Sequence, residues 1–165
     1  MLARHAESEW NANGVYQGRL DPGLSELGLR QAEGLRDRLA TAELAAVYSS
    51  PLQRAWRTAE IVAGTHGLEP LARPELTDVD HGEWSGMPRT EVADRWPELY
   101  REWHEHPARV RFPGGESLLE VRDRALSFLA LARQRHAEGN LLVITHGEVL
   151  QLLLAHLLEM QPDQM

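Results

Sequence analysis

Leu2-Ala3-Arg4-His5-Ala6-Glu7-Ser8-Glu9-Trp10-Asn11 stands almost at the start of the chain, and the rest is organised around it. An apolar lead-in runs into an Arg-His pair, then a small residue, then polar residues. In an α/β protein that order predicts a strand ending in a loop at the carboxyl edge of the sheet, where ligands bind. Arginine is a permanent cation whose planar fork of donors suits phosphate. Histidine is a nucleophile or proton carrier near neutral pH. Side by side, the two can bind an anionic group and attack it.

The same layout recurs near the other end. Leu141-Leu142-Val143-Ile144 is a continuous apolar run fit for a central parallel strand, and it ends in Thr145-His146-Gly147. A helix follows, with Val149, Leu152, Leu153 and His156 placed on one face. Between these ends, Leu44 to Tyr48 predicts a buried strand. Ser49-Ser50-Pro51-Leu52 predicts a helix start, with serine as cap and Pro51 in the first turn, where no amide donor is needed. Leu52, Trp56, Ala59 and Ala63 carry its stripe, and Gly67 ends it. Arg54 then falls in the first turn, beside free amides and the positive end of the dipole, a good place for a phosphate.

The remaining segments follow from punctuation and periodicity. Ser25 caps a helix running to Ala40, with Leu27, Ala32, Leu35 and Leu39 as its buried stripe. Leu68 to Arg73 holds a further strand. Leu76 to Gly86 is an acid-rich loop with Asp78, Asp80 and Glu83. Short helices broken at Pro97 and Pro107 fill the next stretch. Ser117-x-x-Glu120 is a capping box opening a long helix to about Ala137, with Leu118, Val121, Ala125, Leu129 and Ala132 facing the core.

Bulk properties narrow the classes. A chain of 165 residues fits one domain with a real core. The net charge of −8 gives no basic field for nucleic acid, so any phosphate site must concentrate its own cations. Cysteine is absent, which excludes disulfides and thiolate metal sites. No run spans a bilayer and no signal peptide pattern is present, so neither a membrane nor a nucleic acid is an expected partner and the cytoplasm is the default location. His104 and His106 lack a third ligand at metal spacing and read as a solvated surface pair.

Five separated motifs carry a family resemblance over nearly the whole chain. They are Arg4-His5 with its flanks, Ser49-Ser50-Pro51-Leu52-x-Arg54-Ala55-x-x-Thr58-Ala59, Leu76-x-Asp78-x-x-x-Gly82-x-Trp84-x-Gly86, Pro113-Gly114-Gly115-Glu116-Ser117, and His146-Gly147. An Arg-His dipeptide alone is common; five motifs in order are not. Together they resemble the histidine phosphatase superfamily, in its phosphoglycerate mutase-like branch. The opening motif departs once, with Ala6 where the family has glycine. Alanine is the smallest replacement, but it forbids a relaxed positive φ. Members usually carry a few more residues before the Arg-His pair and a further strand at the end, which leaves open whether further segments flank this chain.

The resemblance implies a three-layer α/β/α sandwich with a mostly parallel central sheet. It is read as a single domain over 1–165, with a helical lid insertion at about 87–112. It also implies a metal-independent phosphatase acting on a small phosphorylated metabolite through phosphohistidine. His5 would be the nucleophile, and Arg4, Arg54 and His146 the phosphate pocket. Asn11 would be a neutral donor there, with Gln17, Gly18 and Gly147 near the substrate. Two nearby arginines would keep His5 neutral, and a backbone carbonyl would set its tautomer. Asp78 stands where the family usually has glutamate as proton donor; Glu83 is the rival, ahead of Glu75 and Asp80.

No cofactor is implied, because the arginines and histidines supply the charge that Mg²⁺ would provide. Trp96, Tyr100 and Trp103 are expected to form an apolar wall that admits hydrophobic esters. Trp84 and Trp103 are read as packing, Glu7 and Ser8 as structural hydrogen-bonders, and His66, His81, His136 and His156 as surface or partly buried. A cofactor-dependent phosphoglycerate mutase and a catalytically idle phosphoester-binding domain are the alternatives. The short span from Gly86 to Pro113 favours the phosphatase over the first, and the complete His and Arg set over the second. A homodimer is compatible with the sequence, which does not fix the oligomeric state.

Overall fold

The computed structural model describes residues 1–160. Four parallel strands make one sheet in the order β1-β4-β2-β3: β1 (Leu2–Arg4), β2 (Leu44–Ser49), β3 (Leu71–Ala72) and β4 (Asn140–Thr145). The apolar run of β4 takes a central place, with Arg4 opposite Thr145 on one side and Ser49 opposite Ile144 on the other. Its side chains alternate between faces, as a period of two requires. Leu142 and Ile144 join Val47 in one cluster, while Val143 joins Ala46 and Tyr48 in the other.

Each face is covered by helices, which gives the three expected layers. On the first lies α3 (Gln53–Gly64), whose small residues Ala55, Ala59 and Ala63 let it sit close to the sheet. Outside it packs α2 (Glu26–Leu39), with Leu35 and Leu39 against the same cluster. On the second face lie α6 (Leu118–Arg135) and α7 (Gly147–Leu157). Phe128 of α6 meets Tyr48 of β2 edge-on at 5.2 Å between ring centroids. Between Ala12 and Leu118 the chain also forms α4 (Arg89–Arg95) and α5 (Pro97–Glu105), and a 3₁₀ turn at Pro107–Arg109, so helical breaks fall at Pro97 and Pro107. A short α1 (Glu9–Ala12) follows β1.

The capping box at Ser117 and Glu120 forms as expected, and Ser25 caps α2 by accepting from the Gly28 amide at 3.0 Å. Other local expectations are corrected. Leu27 is exposed and Gly28 faces inward beside it, while Ala32, Leu35 and Leu39 keep the expected inner face. The helix phase is set by Gly28, where an added Cβ would lie 1.9 Å from the Glu7 carbonyl oxygen. The strand expected over Leu68–Arg73 shrinks to Leu71–Ala72, an edge pair whose side chains are both exposed. Helix α3 ends at Gly64, and Gly67 turns the chain beyond it with φ +65°. Leu129 is only partly buried and Phe128 takes the core position; His156 is exposed, with Ala155 inside.

The contact at Gly28 carries a stability prediction. Gly28→Ala must push α2 away from the segment that follows His5. The expected loss is about 1–3 kcal/mol, typical of overpacking a tight contact. That corresponds to roughly 2–4 °C in Tm per kcal/mol at this chain length. Thermal unfolding of the variant checks it, and an unchanged Tm would contradict the close approach.

Candidate active site

The carboxyl edge of the sheet gathers the site. His5 follows β1 directly, and its amide donates to the Thr145 carbonyl at 2.8 Å, extending the β1–β4 ladder by one bond. His146 follows β4, and the two rings lie 5.0 Å apart. Nδ1 of His5 donates to the carbonyl of Ala6 at 2.7 Å. This is the backbone partner expected for the tautomer, and it leaves Nε2 with a free lone pair. Burial pushes His5 down to about 3, with help from the Arg54 and Arg4 charges and against the pull of the Ala6 carbonyl. Burial, more than the arginines, keeps the ring neutral. Ala6 has no positive φ, so the loop passes it without strain, and its amide donates to Thr58 Oγ1 at 3.1 Å.

Arg54 lies in the first turn of α3 and is fully buried. Its guanidinium donates to the carbonyls of Leu20 (2.9 Å) and Gly18 (2.8 Å) and to Asp78 Oδ2 (2.9 Å), while its buried Nε has no partner. Gly18 turns with φ +53°, and an added Cβ would lie 2.8 Å from Ser85 Oγ. Leu52, not a serine, occupies the cap position of α3. Ser50 serves both the helix start and the site: its hydroxyl accepts from the Leu52 amide at 3.3 Å and lies 2.8 Å from His146 Nε2. His146 is fully buried, with Nδ1 unpartnered and 3.4 Å from Asp78 Oδ2. Burial first, then Arg54, drives its pKa well below the ordinary value.

Asp78 lines the same cavity as His5. Burial first and the Glu148 carboxylate second raise it to about 7, against the opposing pull of Arg54 and the Val79 amide. A carboxyl at that value carries a proton over much of the neutral range, as a general acid needs. The rival Glu83 is exposed, and its amide is tied to the Pro113 carbonyl at 2.8 Å. Neither Glu83, Glu75 nor Asp80 lines the cavity.

The Pro-Gly-Gly-Glu-Ser motif holds the Asp78 segment rather than the ligand. An added Cβ on Gly115 would lie 2.2 Å from the Asp80 carbonyl oxygen, so only glycine admits this approach. Glu116 accepts from the Asp80 amide at 3.0 Å and from Arg124. Arg124 in turn donates to the carbonyls of Glu75, Thr77 and Asp78.

Asn11 and Gln17 also line the cavity, and both are held the same way round. Asn11 Oδ1 accepts from the Ser8 amide, and Gln17 Oε1 accepts from the Ser8 hydroxyl at 2.7 Å. Their acceptor ends are occupied, so their NH₂ groups remain as donors toward an anion. Ser8 and Glu7 are structural, the latter accepting from Ser25 Oγ. Arg4 and Gly147 complete this side; a Cβ on Gly147 would lie 3.8 Å from Arg4 Nε.

Two expectations fail here. Trp96 and Tyr100 pack behind the buried Trp84, at 6.3 and 6.2 Å between centroids, and Trp103 packs on Phe112. None of the three lines the cavity. His81, read as surface or partly buried with no part in the site, is buried beside Tyr16 and lines the cavity with both ring nitrogens unpartnered. Arg89, Tyr16 and Glu148, not singled out from the sequence, line it too. For His81 a signal existed: it lies inside the Leu76–Gly86 motif, three residues after Asp78. Among the described residues no His, Cys, Asp or Glu cluster is arranged to hold a metal, and no helix is long and apolar enough to cross a membrane.

Comparison with known proteins agrees with this geometry. Residues 1–165 match the histidine phosphatase superfamily (branch 1). Phosphoserine phosphatase 1 of Hydrogenobacter thermophilus is 46% identical over 146 residues, covering 88% of this chain and 69% of that protein. The metal-independent phosphoserine phosphatase of Arabidopsis thaliana is 36% identical over 156 residues, covering 93% and 66%. The solved structure of Bacillus stearothermophilus YhfR superposes with a TM-score of 0.95 at 33% identity, covering 99% of this chain and 81% of that one. The chain belongs to the histidine phosphatase superfamily, branch 1.

Proposed function

We propose that this phosphatase hydrolyses small phosphate monoesters through a phosphohistidine on His5, with Asp78 as the proton donor. The observation that carries this is the His5 ring, neutral, with Nδ1 held by Ala6 and Nε2 free beside Arg4. Nε2 attacks phosphorus and forms the N–P bond as the ester P–O bond breaks. The leaving oxygen takes the proton of Asp78. Water then attacks phosphorus, gives its proton to the Asp78 carboxylate, and releases phosphate and neutral His5. Splitting one very slow step into two is the gain from a covalent intermediate.

Arg4, Arg54, His146 and the amides of Asn11 and Gln17 hold the phosphoryl oxygens, with Gly147 at the wall and Gly18 behind it, its carbonyl fixing Arg54. The unpartnered buried Nε of Arg54 and Nδ1 of His146 support this, since buried polar atoms are rarely left unsatisfied unless a ligand meets them. Residues 87–112 act as the lid of a single domain, with Arg89 of α4 at the cavity wall. The polar wall favours small charged esters over hydrophobic ones, and O-phosphoserine is the first substrate to try, given the names of the relatives. A cytoplasmic setting suits such a substrate.

The test is hydrolysis of O-phosphoserine and p-nitrophenyl phosphate with chelator present, with acid-labile phosphoenzyme trapped by rapid quench in alkali. Turnover without metal and a trapped label are expected. Activity lost to chelator and restored by Mg²⁺ would overturn the mechanism.

A further inference from the structure

One carboxylate sits where an anion has to bind. Glu148, the second residue of α7, lines the cavity that also holds His5 and Asp78. An acid in the first turn favours the helix dipole, but any phosphate dianion entering beside it is repelled. The same cavity is lined by Arg89, at the first position of α4. Among the described residues, the cavity's Arg4, Arg89 and Glu148 form none of the ion pairs; the buried pair is Arg54–Asp78. Besides Arg4 next to the reacting histidine, the cavity lining therefore presents one unpaired carboxylate, Glu148, and one unpaired guanidinium, Arg89.

We infer that Glu148 binds the ammonium group of a zwitterionic phosphate ester while Arg89 takes its carboxylate. The substrates are then phosphorylated amino acids with free α-amino and α-carboxyl groups. This rests on the site being a phosphoester site, as proposed above. A cation on the substrate turns the repulsive carboxylate into a contact, and esters that lack one meet it as a penalty. That is how a single group raises one affinity and lowers its competitor's. The field of Glu148 reaches into the cavity, since it is one of the charges that hold Asp78 up. A second phosphate group, as a mutase would need to hold, meets the same repulsion.

The test compares O-phospho-L-serine with 3-phosphoglycerate, which carries a hydroxyl in place of the ammonium. Calorimetric binding to His5→Ala and to His5→Ala/Glu148→Gln measures the preference without turnover. The kcat/KM ratio of the two esters measures it in the active protein and in Glu148→Gln. A preference for phosphoserine of about tenfold or more is expected. Glu148→Gln should cut the ratio about tenfold through KM. Folding of each variant is checked by thermal unfolding. An indifferent parent, or a ratio that Glu148→Gln does not move, overturns the assignment. If binding preference is present and lost on substitution while no ester is hydrolysed, the inference stands and the phosphatase mechanism fails.

Discussion

His5→Ala is expected to abolish turnover of every phosphate ester, by about 10⁴-fold or more, because no other group supplies the nucleophile. The phosphoenzyme label should vanish with it. The side chain makes one hydrogen bond to the protein, to the carbonyl of its own neighbour Ala6, so the variant should fold and unfold much as the parent does. Loss of activity with an unchanged Tm would place the effect in the chemistry. Retention of more than a few per cent of the parent rate would show that phosphorus is attacked by water directly and that His5 only binds.

Asp78→Asn should show a loss that depends on the leaving group. On an alkyl ester such as phosphoserine the departing alkoxide needs a proton, and removing the acid costs about 10²–10⁴-fold. On p-nitrophenyl phosphate the departing phenolate needs little help, so the loss should be far smaller. The pH profile gives an independent check. Asp78, held at about 7, must be protonated to donate, so the rate on alkyl esters falls as pH rises through that value. His5, pushed down to about 3, stays neutral above that pH and adds no acid limb of its own there. In Asp78→Asn the alkaline limb should disappear. A limb that survives would assign the proton to another group.

The sequence made some parts legible and not others, for physical reasons. The runs in β2 and β4 were readable because strands buried on both faces are continuously apolar. The capping box at Ser117 was readable because its chemistry is local. The strand expected before His5 has only three residues, Leu2–Arg4, and is held by pairing with β4, which is distant in sequence. Leu27 was misplaced on the inner face of α2, whose phase is otherwise as expected, because a leucine at a helical interval outweighs a glycine in any hydrophobic pattern. What decides that phase is the Glu7 backbone pressed against Gly28.

The site divided the same way. Arg4, His5, Arg54 and His146 announce themselves by residue type and position, Asp78 only through the motif that carries the family resemblance, and the structure brings the five together. His81 does not, because burial of a histidine depends on Tyr16 and Phe112 closing around it. Trp96, Tyr100 and Trp103 were placed in the wrong layer, since an aromatic cluster reads alike whether it faces a ligand or Trp84. Ser50 looked like a helix cap because its second partner, His146, lies 96 residues away in sequence.

The two histidines each stand one step past a paired rung, Arg4 opposite Thr145. Adjacent strands in any sheet are held about 4.8 Å apart by their hydrogen bonds, and the rings stand 5.0 Å apart. The sheet therefore acts as a ruler for the chemistry: the separation is set by main-chain bonding, which side-chain substitution cannot stretch. The ruler has coarse graduations. A slip of a single residue between β1 and β4 would send His5 to the opposite face of the sheet. The spacing is thus either right or wholly lost, while the loops around it are free to vary in length and composition. An architecture of that kind can change what it recognises without retuning how it reacts.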